Sequence, residues 1–414
     1  MKIMGFAAAF CAVFCAWQAS AYDSSLKSAP KPTVSAEAFG KTSSGEEAKI
    51  YTLKNAGGMV VRAMDFGATV TEISVPDKNG VFENVVLSLP DLKSYEGNSN
   101  YFGPVVGRFG NRLGDAKIVL DGREYKLNAN ENDNILHGGA KGFNKVVWKS
   151  EAVSDRDVKG VDFAGVKFSR VSPDGEMGFP GNLSVEILYT LNNLNEFAIE
   201  YRAVSDKTTV CNLTLHPYFN LAGAGNGDVL TQYIQIPAST YTEVDSELIP
   251  TGKILNVENT PFDFRKIRPL GSKIRDFSNP QLKIAKGYDH NFNLDKPVDA
   301  LGLAVRLYNA KNCRMLEILS QEPALQFYSC QGFDGSLILA NGKPAQKYGA
   351  FVLEPQHAPD NPNQNFFPSS VLKVGETYST KTIYRFKVVS PEKVFGLERL
   401  MPPAEPQTPA PASW

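Results

Sequence analysis

Charge of one sign is missing from this sequence. Its 43 Lys and Arg stand against 44 Asp and Glu, a formal net charge of −1, so no electrostatic field draws the chain to nucleic acid or to an anionic membrane. Histidine is scarce, at 4 residues. No two of them have a spacing such as HxxxH, and no CxxC pair accompanies them, which argues against a metal site. There is no GxxxxGK[ST] loop to cradle phosphate. Long stretches with apolar residues 3.6 apart are also absent, which excludes a helical bundle. Between residues 35 and 400 there is no linker, no fixed-period repeat and no low-complexity tract, so one domain is the economical reading.

The two ends differ from this middle. Lys2, the apolar run Met4–Trp17 and Ala19-Ser20-Ala21 have the form of an export signal, with an expected mature start near Tyr22. The run is shorter than the roughly 20 residues a spanning helix needs. The chain is therefore expected to be exported, periplasmic or secreted, with residues 1–21 removed and no membrane association afterwards. Residues 22–34 are rich in Ser, Lys and Pro, and residues 401–414 in Pro and Ala; both are expected to be flexible. Cys11 and Cys15 leave with the signal. Cys211, Cys313 and Cys330 remain, an odd number in apolar stretches, and buried free thiols are expected.

Within 35–400 the apolar pattern has period two. Leu183, Val185, Ile187, Tyr189 and Leu191 alternate with polar residues, and Phe197, Ile199, Tyr201 and Ala203 alternate again after Asn192-Asn193-Leu194-Asn195, which predicts a hairpin with one buried face. Val166-Lys167-Phe168 and Tyr384-Arg385-Phe386-Lys387-Val388 repeat the pattern. With 34 Gly and 26 Pro for turns, the class is all-β, a large antiparallel β-sandwich.

Polar residues with chemistry fall in a few segments. His137 lies in Asn134-Ile135-Leu136-His137-Gly138-Gly139, where two glycines let the backbone bend and leave room beside the imidazole. His216 ends a strand-like stretch at Pro217, which cannot donate to a ladder, so its side chain is expected at a rim. Glu354 follows Ala350-Phe351-Val352-Leu353. A carboxylate there is partly desolvated, which raises its pKa and makes it a better base. Asp289 and Gln326 stand beside aromatic rings, the mixture suited to sugar hydroxyls and a flat sugar face. Gly107-Arg108-Phe109-Gly110-Asn111-Arg112 offers two arginines that fit either an anion or a neutral sugar. His290 and His357 lie in similar surroundings, and a histidine taken alone is more often structural than catalytic.

Together these segments resemble the aldose 1-epimerase (galactose mutarotase) family. The resemblance runs from about Phe39 to Val389 and rests on Gly107–Arg112, on Leu136-His137-Gly138-Gly139 with Gly142–Trp148, on Gly178–Gly181, on His216–Leu221, on Gly287–Phe292 and on Leu353-Glu354-Pro355-Gln356. It implies the large sandwich of that family with an open sugar cleft, no metal and no organic cofactor. It also implies that Glu354 is the general base and His216 the general acid, while Asn111, Arg112, His137, Asp289 and Gln326 hold a free aldose. Asn132 stands where the family often has Gly, and Asn tolerates the left-handed backbone such a turn needs. Pro217 and His357 also depart from the usual pattern, replacing a small residue and an aromatic one. A monomer or weak dimer is expected. Two other readings use the same residues: a sugar-binding protein without turnover, and a glycoside hydrolase built on Asp289 and Glu354.

Overall fold

The protein is described by a computed structural model covering residues 29–364 and 367–397. The expected signal 1–21, most of the segment 22–34 and the tail 401–414 lie outside the described residues. The first strand, Thr33–Lys41, begins inside the stretch that composition marks as flexible. Thr33 and Val34 pair with Lys54 and Leu53, and Val34 packs against the core. Burial of one β-branched side chain overrides the Pro- and Ser-rich window around it.

Three antiparallel sheets carry the architecture. A five-stranded sheet runs through Thr33–Lys41, Glu47–Lys54, Val60–Met64, Thr69–Pro76 and Phe82–Asn84. The nine-stranded sheet contains the expected hairpin, Leu183–Asn192 paired with Glu196–Ser205. Asn195 takes φ 56° at its turn, a left-handed conformation that Asn accepts. A six-stranded sheet has the order Tyr218–Phe219, Phe351–Gln356, Ala324–Tyr328, Asp289–Asn293, Thr240–Val244 and Pro250–Asn256. The α-helices among the described residues are six or seven residues long, and no helix among them is long and apolar enough to cross a membrane.

One continuous core lies between the nine-stranded sheet and the other two. Phe168, Ile187, Tyr189, Ile199 and Ile318 from the first meet Phe292, Phe327, Phe351 and Leu353 from the six-stranded sheet, and Leu53, Val61 and Ile73 from the five-stranded one. Facing sheets with alternating inward residues define a sandwich, as the period-two pattern requires. Cys211, Cys313 and Cys330 are buried and unpaired.

Because side chains alternate across a strand, the six-stranded sheet has a second face. Leu353, Phe327 and Phe292 point into the core, so their neighbours Glu354, Gln326 and Asn291 point the other way. The register sets Gln326 opposite Glu354 and Asn291 opposite Gln326. A polar row thus runs across three adjacent strands.

Candidate active site

Glu354 lies within the strand Phe351–Gln356 and is only 2% exposed. His216 reaches it from a separate segment: Thr214–Leu215 pairs with Val105–Val106, and the His216 N–H donates to the Pro104 carbonyl at 3.0 Å. These bonds place His216 Nε2 3.8 Å from Glu354 Oε1. His137 arrives by a third route, with Nδ1 4.0 Å from Glu354 Oε2 and its ring centroid 5.1 Å from that of His216. Three residues far apart in the chain converge.

The position of His137 depends on Asn111. The His137 N–H donates to the Asn111 carbonyl, and the Asn111 N–H donates to His137 Nδ1, each at 3.0 Å. An Nδ1 that accepts leaves the proton on Nε2 in the neutral ring, so His137 can offer only a donor to a ligand. Gly138 and Gly139 take φ 82° and 93°, the bend expected of them, but a Cβ on Gly138 would lie 1.9 Å from the Gly107 carbonyl oxygen. The space its missing side chain leaves is filled by backbone. Asn132 has φ 50°, the left-handed conformation foreseen for it.

Only one of the two arginines belongs to the site. Arg112 makes two hydrogen bonds to Glu131, at 2.6 and 3.0 Å, and lies 3.7 Å from Asp289. Gln326 Nε2 donates to the same Asp289 at 2.6 Å. Arg108 points away, donating to Ser172 Oγ and to the carbonyls of Ser172, Pro173 and Pro180. It ties loops together, so an anion site built on both guanidinium groups is not formed.

Burial dominates the electrostatics. It raises Glu354 well above the usual carboxylate range, reinforced by Asp289 and opposed by Arg112. Burial lowers His216 to about 4, and lowers His137 well below its ordinary value with help from His216 and Arg112. Desolvation also raises Asp289, against Arg112 and Gln326. Both partners of the close Glu354–His216 pair are thus pushed toward their neutral forms. The ligating atoms of His137, His216 and Glu354 lie within 4.8 Å of one another. That is a zinc-like donor set no linear spacing reveals, although His137 Nδ1 is already engaged by Asn111.

All seven candidate residues, Asn111, Arg112, His137, His216, Asp289, Gln326 and Glu354, are linked in this cluster through the contacts above. The two remaining histidines are not. His290 adjoins Asp289 on the strand and so faces the core, 4.7 Å from the Phe262 ring. His357 pairs with Glu322, Nδ1 to Oε2 at 2.8 Å. Two residues at the site escaped sequence reasoning. Tyr101 sets its ring 4.6 Å from His137 and 5.9 Å from His216, and Glu131 clamps Arg112. Glu131 stands in a polar turn where any acidic residue looks solvated, and Tyr101 beside Phe102 looks like core.

Residues 49–385 match the aldose 1-epimerase family model. The chain is 41% identical to galactose mutarotase of Bos taurus over 328 residues, 79% of this chain and 91% of that one. It is 34% identical to aldose 1-epimerase of Escherichia coli K12 over 344 residues, 83% and 96% of the two chains. Among solved structures, galactose 1-epimerase of Lactobacillus acidophilus superposes with a TM-score of 0.75 at 27% identity, covering 86% of this chain and 98% of the other. Since the match spans both the sheet that carries Glu354 and the loops that bring His137 and His216 to it, this chain belongs to the aldose 1-epimerase family.

Proposed function

We propose that Glu354 and His216 are the acid–base pair with which this isomerase interconverts the α and β anomers of free aldoses such as glucose and galactose. The observation that carries the assignment is the 3.8 Å approach of His216 Nε2 to Glu354 Oε1 in a buried polar cluster. Glu354 takes the proton of the anomeric hydroxyl while His216 gives one to the ring oxygen. The bond from C1 to the ring oxygen breaks, and C1 becomes an aldehyde. Rotation about C1–C2 presents the other face of the carbonyl. Reclosure then returns one proton from Glu354 to the carbonyl oxygen and the other from the C5 hydroxyl to His216.

The pair holds a single proton throughout the cycle, and burial biases where it rests. A carboxyl raised by desolvation and an imidazole lowered by it favour the neutral combination. In this scheme that combination accompanies the open-chain aldehyde, so the site favours the less stable form of the sugar. His137, neutral and able only to donate, supports a sugar oxygen, while Arg112, Asp289, Asn111 and Gln326 hold the hydroxyl groups. A glycoside hydrolase would need Asp289 as a second working carboxylate, but Asp289 is occupied by Arg112 and Gln326.

Polarimetry on freshly dissolved α-glucose and α-galactose tests the activity. Equilibration faster than the spontaneous rate, with no cleavage of an aryl glycoside, is expected. Release of the aryl group would instead assign a hydrolase. Export is supported by Lys2, the apolar run Met4–Trp17 and Ala19-Ser20-Ala21. Mass spectrometry of protein recovered outside the cytoplasm is expected to show a chain starting near Tyr22; an intact Met1 there would refute it.

A further inference from the structure

Glu354, His216 and the Asn111–Arg112 pair sit on three separate segments, and one buried side chain on the segment leading to His216 bonds to the other two. Asn212 is fully buried and lies in the stretch that leads to His216. Its Oδ1 accepts the His357 N–H at 2.9 Å. Its Nδ2 donates to the His357 carbonyl at 3.1 Å and to the Gly110 carbonyl at 3.4 Å. Backbone bonds complete the joint: the Gly110 N–H donates to the Asn212 carbonyl at 2.7 Å, and the Asn212 N–H to the Arg108 carbonyl at 2.9 Å.

The orientation of this amide is forced. A backbone N–H can only donate and a carbonyl can only accept, so the oxygen must face the His357 N–H and the nitrogen the two carbonyls. Asn212 therefore satisfies both peptide groups of His357, the residue that follows the end of the strand carrying Glu354. It simultaneously holds the peptide before Asn111, whose own N–H and carbonyl set the His137 ring. Room for the joint is tight, since a Cβ on Gly110 would stand 3.1 Å from Gln356 Oε1 and 3.1 Å from the Thr214 methyl group.

We propose that Asn212 is a positioning residue for anomer interconversion, a latch that fixes Glu354, His216 and the Asn111–His137 pair relative to one another without touching the sugar. Proton transfer requires heavy atoms within hydrogen-bond reach of the reacting oxygens, and small misplacements cost orders of magnitude in rate. No shorter or apolar side chain can serve three peptide groups at once. The inference rests on the acid–base assignment of Glu354 and His216.

The test compares Asn212→Ala with Asn55→Ala. Asn55 is also a buried amide with three bonds, to Met59, Asn192 and Asn195, but it holds a turn of the five-stranded sheet and its side chain bonds to none of these segments. Both variants are expected to lower Tm. Only Asn212→Ala should lower kcat by about tenfold or more, as measured by polarimetry on folded protein. A folded Asn212→Ala enzyme with kcat within twofold of the wild type overturns the latch, as does an equal loss in Asn55→Ala. Hydrogen exchange on the wild type covers failure to fold. The His357 amide should exchange as slowly as those of the strand Phe351–Gln356, and rapid exchange contradicts the closed latch. If Glu354→Gln retains near-normal rates, the acid–base assignment fails while these exchange and kcat comparisons still stand.

Discussion

The two faces of the six-stranded sheet have opposite compositions although they alternate along the same strands. Leu353, Phe327 and Phe292 fill the core, while Glu354, Gln326 and Asp289, each adjacent in sequence to a buried neighbour, form the polar cluster. His290 shows how sharp the division is. One residue beyond Asp289, it is fully buried beside Phe262, and burial pushes its pKa down to about 3. The site is thus held by the same hydrophobic packing that holds the fold, and each strand positions chemistry with the side chains it does not use for chemistry.

The contrast predicts unequal damage from substitutions on the two faces. The largest effect belongs to His216→Asn, expected to lower mutarotation by roughly 10² or more while the Tm stays within a few degrees of the wild type; polarimetry and thermal unfolding on one preparation check both. Next, Phe327→Ala on the core face should lose roughly 3–5 kcal/mol of stability in denaturant unfolding, with kcat per folded molecule nearly unchanged. A smaller effect is expected from Glu131→Gln. It removes the charge that clamps Arg112, so KM should rise a few-fold with little change in kcat, and a loss confined to kcat would contradict a binding role for Arg112.

The smallest effect is on pH. The folded pKa of His290 is depressed from 6.5 to about 3. Between those values the unfolded chain binds a proton that the folded chain refuses. Its stabilising contribution is therefore complete above about pH 6.5 and is lost as pH falls. In His290→Gln the decline in Tm from pH 7 to pH 5 should be shallower than in the wild type. An equally steep decline would place the acid sensitivity elsewhere.

Much of this was legible in the chain because alternation is local. Leu183 to Leu191 and Phe197 to Ala203 announced their hairpin, and the apolar run before Glu354 announced a desolvated carboxylate. Convergence was not legible, because it depends on pairings such as Gln326 with Glu354 and Val106 with Thr214 that no spacing encodes. Equivalence of neighbours misled in the same way. Arg108 and Arg112 look alike in sequence, yet one binds carbonyls inside the fold and the other meets Asp289. Glu131 and Tyr101 acquire their roles only when the turn and the loop that carry them close over the cluster. The family resemblance supplied roles that residue types alone left open.

The adjacent pair Leu353 and Glu354 tests the central claim most directly, since one peptide bond separates the two faces. Polarimetric kcat and Tm should be measured together for Leu353→Ala and Glu354→Gln. Glu354→Gln is expected to lose roughly 10² or more in kcat with Tm unchanged or raised. Leu353→Ala should lose roughly 2–5 kcal/mol of stability and keep kcat within about threefold. A Glu354→Gln enzyme with near-normal kcat would contradict the claim that the polar face carries the chemistry.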